Sequence, residues 1–331
     1  MKYFRIALFP CLALALLAKG CDSSSSAKND KDSNRQETQP GTPINPELLK
    51  QFPGLPTPMR PAEPVQLGYR LEPGQKWRIV FDQKLYMDSM GMKVDESAEA
   101  EMSFECLSAD DDGFEVTSRI SKLVSGIDTP GGSYRIDTVD PSKTEAAAIF
   151  QPMIDIWTDV LNAEATFRVT TAGTLPDVQV PQTILDAFED HQEAAERFAV
   201  TPESLFVNFV VGFFEVPATP LEVGDKWQPE VPIPPQGAGS VDATATFLGV
   251  AEFEGRRVAV IELVSSFGKP ESNEMFTKFE MRGDAIALFD IDGGYLWKEY
   301  ISRSGDFELE INESSMEQSL TGEVLISRVE E

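Results

Sequence analysis

Much of the chain beyond residue 66 alternates apolar and polar side chains with a period of two. Ala100, Met102, Phe104 and Cys106 alternate with Glu101, Ser103 and Glu105, and the turn Asp110-Asp111-Asp112-Gly113 leads into Phe114, Val116 and Ile120. Ala243, Ala245 and Phe247 alternate with Thr244 and Thr246, and Glu252-Phe253-Glu254-Gly255 leads into Val258 to Val264. Alternation broken by acidic turns that carry Gly predicts β-hairpins. Two more strand pairs are predicted. One joins Phe167–Thr170 to Leu175 and Val178 around Thr171-Ala172-Gly173; the other joins Ile286–Phe289 to Leu296–Tyr300 around Asp290-Ile291-Asp292-Gly293-Gly294. Further alternation at Met275, Thr277, Phe279 and Met281, at Phe307, Leu309 and Ile311, and around Leu325 carries the pattern to the end.

A different period governs residues 149–214. Ile149, Phe150, Met153, Ile154, Trp157, Val160 and Leu161 recur at three- and four-residue steps, one apolar stripe on a helix that Pro152 kinks or restarts. Ile184, Leu185, Phe188, Ala195 and Phe198 predict a second amphipathic helix. A third is predicted from Thr201-Pro202-Glu203-Ser204, with Thr as N-cap, Pro in the first turn and Glu favoured by the helix dipole. Its body, Leu205–Phe214, is apolar except at Asn208 and Gly212, so it should be buried, either plugging the core or lining a cavity.

The strand pattern is duplicated. Leu71-Glu72-Pro73-Gly74-Gln75-Lys76-Trp77 recurs as Leu221-Glu222-Val223-Gly224-Asp225-Lys226-Trp227, identical at five of seven positions. Such internal similarity predicts two related meanders, with Trp77 and Trp227 each anchoring one in the core. The reading is α+β: curved antiparallel sheet from two similar halves, eight to twelve strands in all, with three or four helices inserted between them. One globular domain spans 66–331, with halves at about 66–180 and 218–331 and a helical segment at 181–217.

The N-terminus sets the compartment. Lys2 and Arg5 precede an apolar run from Ile6 to Ala18, too short to span a bilayer and of the length of a signal-peptide core, so residues 1–20 read as an export signal. Ala18-Lys19-Gly20-Cys21 resembles the lipobox of bacterial lipoproteins, in which the Cys is acylated and the chain cleaved before it. It departs from that pattern at Lys19, where a small residue is usual, and at Leu17, one place early. Cys21 is therefore the expected lipidation site, with a secreted, unanchored protein as the alternative. Residues 22–38 hold no aliphatic residue larger than Ala and cannot bury enough apolar area to offset their ordering entropy. Prolines from Pro40 to Pro64 favour extended polyproline stretches. Residues 21–65 thus read as a tether that holds the domain off a membrane.

Charge excludes some partners. The 331 residues carry 55 Asp+Glu against 28 Lys+Arg, a net charge of −27. A surface this anionic repels phosphate backbones, so no nucleic-acid partner is expected. The catalytic inventory is thin. The one histidine, His191, lies at the edge of the second helix's stripe, where packing is expected, and no second His is available for a zinc pair. No Ser sits in a G-x-S-x-G elbow, and Gly237-Ala238-Gly239 lacks the third glycine of a dinucleotide loop. Cys106 falls in the inward set of its strand and reads as an inert thiol. The two Asp-rich turns lack the twelve-residue calcium pattern with its terminal Glu. No metal or cofactor is expected. A carboxylate-dependent hydrolase is the only enzymatic alternative the composition leaves open.

The stretch from Tyr69 to the C-terminus resembles an uncharacterised family of bacterial lipoproteins, a domain of unknown function. The likeness is carried by Thr201-Pro202-Glu203-Ser204-Leu205, Phe214-Glu215-Val216-Pro217, Pro220 to Trp227 and the elements around Gly173 and Gly294. It implies export and lipid anchoring, and no reaction. More loosely, a curved sheet with apolar helices is similar to lipoprotein carriers and localisation factors, a likeness of fold alone. The expectation is a non-enzymatic envelope protein, facing the periplasm or exterior and bound to the membrane through acylated Cys21, with a binding or scaffolding role. Its partner would be an envelope protein or an apolar ligand. The alternative is a carrier of an acyl or lipid ligand, lined by Phe206, Phe209, Val210, Phe213 and Trp157.

Overall fold

A computed structural model describes residues 46–330 except 90–91, 130–131, 149, 162, 177–178, 194–201, 203–205, 230–240, 268–275 and 312–313. The predicted signal, Cys21 and most of the tether lie outside the described residues. The chain forms α1 (Pro46–Leu49), β1 (Lys76–Ser89), β2 (Met92–Asp110), β3 (Gly113–Thr129), β4 (Gly132–Asp137), β5 (Glu145–Ala146), α2 (Gln151–Val160), β6 (Glu164–Thr170), α3 (Gln182–Asp190), β7 (Lys226–Trp227), β8 (Val241–Phe253), β9 (Arg256–Phe267), β10 (Phe276–Asp290), β11 (Tyr295–Ile311) and β12 (Ser314–Glu330). Every strand pairing is antiparallel, in one sheet of order β5-β4-β3-β2-β1-β12-β11-β10-β9-β8-β7, with β6 also pairing β3. Two meanders run outward from a central seam of β1 and β12, in register from Trp77 opposite Glu330 to Ser89 opposite Gln318.

The α+β expectation with three or four helices is overturned. Of the described residues 58% are strand and 13% helical, and only α2 and α3 exceed one turn among them. Of the third predicted helix, Pro202 and Phe206 are helical and 203–205 lie outside the described residues, but its body does not continue to Phe214: it passes into a 3-10 turn at Val207–Val210, beyond which Val211 is extended and Gly212 has φ 92°. The apolar pattern at 205–214 is that of a buried segment, and burial needs no helix here. Phe213 lies among the rings of Tyr69, Trp77, Phe104 and Phe167, and Ser118 Oγ donates to Phe209 O at 2.7 Å, satisfying that carbonyl without a helical partner. The second helix ends at Asp190, and Ala195 and Phe198 lie outside the described residues.

The predicted hairpin at Gly173 also differs. β6 returns to pair β3, and residues 174–176 form no strand, with Val178 outside the described residues. The turn's carbonyls are taken by other segments: Tyr69 N donates to Thr171 O and Val216 N to Ala172 O, both at 2.8 Å. The seventeen-residue β3 is long enough to hold β4 along 124–129 and β6 along 113–119 on the same side. Between them α2 presents Met153, Ile156 and Val160, all fully buried.

The duplicated motif makes the same hydrogen bonds twice. Gly74 N donates to Cys106 O at 2.7 Å and Cys106 N to Gln75 O at 2.9 Å; Gly224 N donates to Phe247 O at 2.8 Å and Phe247 N to Asp225 O at 2.9 Å. Gln75 Oε1 and Asp225 Oδ2 each accept from the backbone N–H three residues earlier, at Glu72 and Glu222. A β-bulge follows at the same place in each copy, leaving Leu107 and Leu248 as the unpaired residues. Trp77 stands opposite Phe104, and Trp227 opposite Ala245. Gly74 and Gly224 have φ of 83° and 97°, with nothing within 4 Å of a built Cβ. Replacing either by Ala therefore meets only the left-handed backbone penalty. Each substitution should lower stability by about 1 kcal/mol, and by similar amounts, in urea unfolding. A large difference between the two would show that the motifs are not mechanically equivalent.

Candidate functional site

Alternation places one face of the sheet inward. On β1 this face carries Trp77, Ile79, Phe81, Gln83, Leu85 and Met87, all buried. Trp77, Ile79 and Phe81 belong to the main core, which also takes in α2, α3 and the segments 65–71 and 206–216. Leu85 belongs to a separate apolar cluster with Met281 and Leu320, against which Phe267, Phe279 and Phe307 pack. Between the two on β1 stands Gln83, 1% exposed.

The register shows what divides these clusters. One inner-face row runs across the sheet as Gly283, Arg303, Gly322, Leu85, Glu96, Ile127 and Tyr134 on β10, β11, β12, β1, β2, β3 and β4. The next row toward the main core carries Ile301, Val324, Gln83, Ala98 and Ser125, and the row after it carries Glu299. Gln83, Glu96, Ser125 and Arg303 are all buried. Gln83 Nε2 donates to Glu96 Oε1 at 3.4 Å, while Gln83 Oε1 has no hydrogen-bond partner among the described residues.

Arg303 is the cation of this band, and Glu299, partly buried, lies two rows deeper on the same strand. Arg303 is 8% exposed, and its Nη1 has no hydrogen-bond partner among the described residues. Glu299 lies four positions before it on the same face, with Ile301 between, and no hydrogen bond or ion pair joins the two. Burial lifts the Glu299 carboxyl to about 7, and the nearby Arg303 charge opposes the shift only in part. Burial likewise draws the Arg303 guanidinium down to about 10, with Glu299 opposing, so it stays cationic at neutral pH. A buried cation held without a close counter-ion is destabilising relative to an apolar residue of similar size, and such perturbed groups concentrate at functional sites.

The residues singled out from the sequence lie elsewhere. Phe206, Phe209, Val210, Phe213 and Trp157 are all buried in the main core. His191 Nε2 and Asp159 Oδ2, 2.9 Å apart, link α3 to the end of α2. Cys106 is fully buried, and burial raises its thiol pKa. Asp110 Oδ1 accepts from the N–H groups of Asp112 and Gly113 and from Arg168, and Asp290 is bound in the same way by Asp292, Gly293 and Arg256. These acids close their own turns. An open groove of about 460 Å³ at the end of β9–β12 is lined by Phe267, Phe279, Met281 and Leu320 of the second apolar cluster together with exposed polar side chains such as Glu280 and Asp306, and Arg303 is not among its lining residues. Its Arg282 is bound by Asp284. It touches none of the five predicted lining residues.

Gln83, Glu96, Glu299 and Arg303 were missed from the sequence because each reads as a polar residue of an outward set. The usable signal was phase: counting by twos from Trp77, from Phe104 or from Phe307 places all four on the apolar face.

No protein-family model and no curated protein matches the chain. Among solved structures, lipovitellin, described for its lipid–protein interactions, overlaps 78% of this chain at a TM-score of 0.45 and 10% identity, and this chain spans 26% of lipovitellin's length. The COG4313 outer membrane channel from Pseudomonas putida overlaps 78% of this chain and 97% of its own at a TM-score of 0.22 and 8% identity. A DUF1329 family protein from Desulfovibrio piger overlaps 77% of this chain and 84% of its own at a TM-score of 0.17 and 6% identity. Overlaps this low carry no functional argument. Among the described residues no helix is long and apolar enough to cross a membrane.

Proposed function

We propose that this is an exported protein, anchored in the cell envelope through acylated Cys21, whose sheet binds an amphiphilic ligand and carries or presents it without chemical change. The observation that supports the binding role is the divided inner face. A packed core ends at a band of buried polar and charged side chains, and beyond that band lies a second apolar cluster whose rings are only partly covered. A domain selected for stability alone gains nothing from placing Arg303 and Glu299 there. The ligand-contacting surface thereby moves from Phe206, Phe209, Val210, Phe213 and Trp157 to the cluster around Phe267, Phe279 and Phe307. The anchoring rests on the signal-like N-terminus and the Cys that follows it.

Two experiments test this. Cys21→Ser should shift the protein from the membrane fraction to the soluble envelope fraction; unchanged membrane attachment would defeat the anchor. The released Cys21→Ser protein, purified from its own host, should show a co-purified amphiphile in native mass spectrometry. A spectrum of the bare polypeptide would defeat the carrier reading.

A further inference from the structure

Three inner-face glycines surround Arg303. Gly283 and Gly322 stand directly opposite it on β10 and β12, and Gly305 is the next inward residue on its own strand. With no Cβ at these positions, larger neighbours lean over the bare backbone. Phe267 Cε2 lies 3.6 Å from the place a Cβ would take at Gly283, Leu85 Cδ1 2.8 Å from that at Gly322, and Phe307 Cζ 2.9 Å from that at Gly305. Arg303 thus stands among bare backbone covered by Phe267, Leu85 and Phe307, with the Ser265 hydroxyl 2.7 Å from the place a Cβ would take at Gly283. The rings of Phe279 and Phe307 are 5.0 Å apart across β10 and β11. They lie two inward positions beyond Gly283 and Arg303, about 14 Å along each strand.

An apolar lane with one buried, partner-poor cation at its inner end is complementary to a molecule with the opposite order, a hydrocarbon tail ending in a compact anion. We infer that Arg303 binds the anionic head of a single-chain amphiphile, a carboxylate or a phosphate monoester, whose chain lies against Phe267, Phe279 and Phe307. This rests on the binding role proposed above and adds the headgroup class. An arginine suits either head, because its planar fork makes two parallel charge-assisted hydrogen bonds to carboxylate or phosphate oxygens.

The test uses the full mature chain carrying Cys21→Ser, so that its own anchor supplies no acyl group. Palmitate, palmitoyl lysophosphatidic acid and the uncharged 1-monopalmitoylglycerol are titrated by calorimetry below their micelle concentrations. At least one anion should bind at least about tenfold more tightly than the uncharged ligand, and the tighter of the two anions identifies the head. Arg303→Met should remove the preference, bringing both anions to the level at which the variant binds the uncharged ligand, and Arg303→Lys should restore part of it. Equal binding of all three ligands by the parent protein, or a preference that survives Arg303→Met, would overturn the headgroup site and leave the carrier role standing. Failure of the parent to bind any of the three would overturn the carrier role itself.

Discussion

Trp77→Ala should lower the unfolding free energy by about 4 kcal/mol, the range for truncating a large aromatic side chain in a packed core. Trp77 is 1% exposed, stacks on Phe104 with ring centroids 5.3 Å apart and an interplanar angle of 7°, and meets the edge of Phe213 at 6.5 Å. The Arg328 guanidinium lies 4.4 Å from its ring centroid and 3.7 Å from that of Tyr295. Arg328 Nε and Nη2 have no hydrogen-bond partner among the described residues, so truncation leaves a cavity and strips one ring from a buried cation. Trp227, its counterpart in the repeat, is half-buried on the two-residue strand β7 at the sheet's edge, where its Nε1 donates to Glu215 O at 2.9 Å. Trp227→Ala should lower stability by less than half as much. Urea unfolding of the two variants measures the difference, and equal losses would contradict the central position of β1.

Glu299→Gln should stabilise the protein in alkaline solution and do much less in acid. The folded state holds the Glu299 proton up to about pH 7, whereas an exposed carboxyl releases it near 4.5. Between those values the folded state binds the proton more tightly than the unfolded chain. Stability from this group is therefore fully present below about pH 4.5 and declines as pH rises to about 7. Above pH 7 both states are ionised and the loss is constant. A neutral amide of the same shape removes that dependence. The gain on substitution should be larger at pH 8 than at pH 5 by about 2 kcal/mol. Urea midpoints of parent and variant at the two pH values give the comparison. Arg303, the nearest opposing charge, stays protonated at both pH values, so its contribution cancels in the difference. A gain independent of pH would mean that the carboxyl is solvated in the folded protein.

Local signals reported local structure well. The turns at Asp110–Gly113 and Asp290–Gly294, the helix over 151–160 with Trp157 on its buried side, and the fully buried Cys106 all followed from period and turn chemistry. Each depends on residues within a few positions of one another. The third helix falls short of Phe214 for the same reason: an apolar run with a good N-cap reads as a helix throughout, and nothing within 201–214 shows that Ser118, far away in sequence, donates to the Phe209 carbonyl. The candidate site was the least legible part. Arg303 is an ordinary polar strand residue until β11 is placed between β10 and β12 and its phase traced to Phe307.

The amino-acid sequence by itself determined the alternation, the duplicated motif with its two left-handed glycines and the turn chemistry, because period-two patterning and backbone φ preferences act between neighbours. Only the tertiary structure decided that the two meanders share one sheet through β1 and β12, that the helical content is small, and that Arg303 and Glu299 face inward. Those outcomes depend on pairing between strands more than two hundred residues apart. Burial is a property of what those distant strands cover, so it is not written in any one of them.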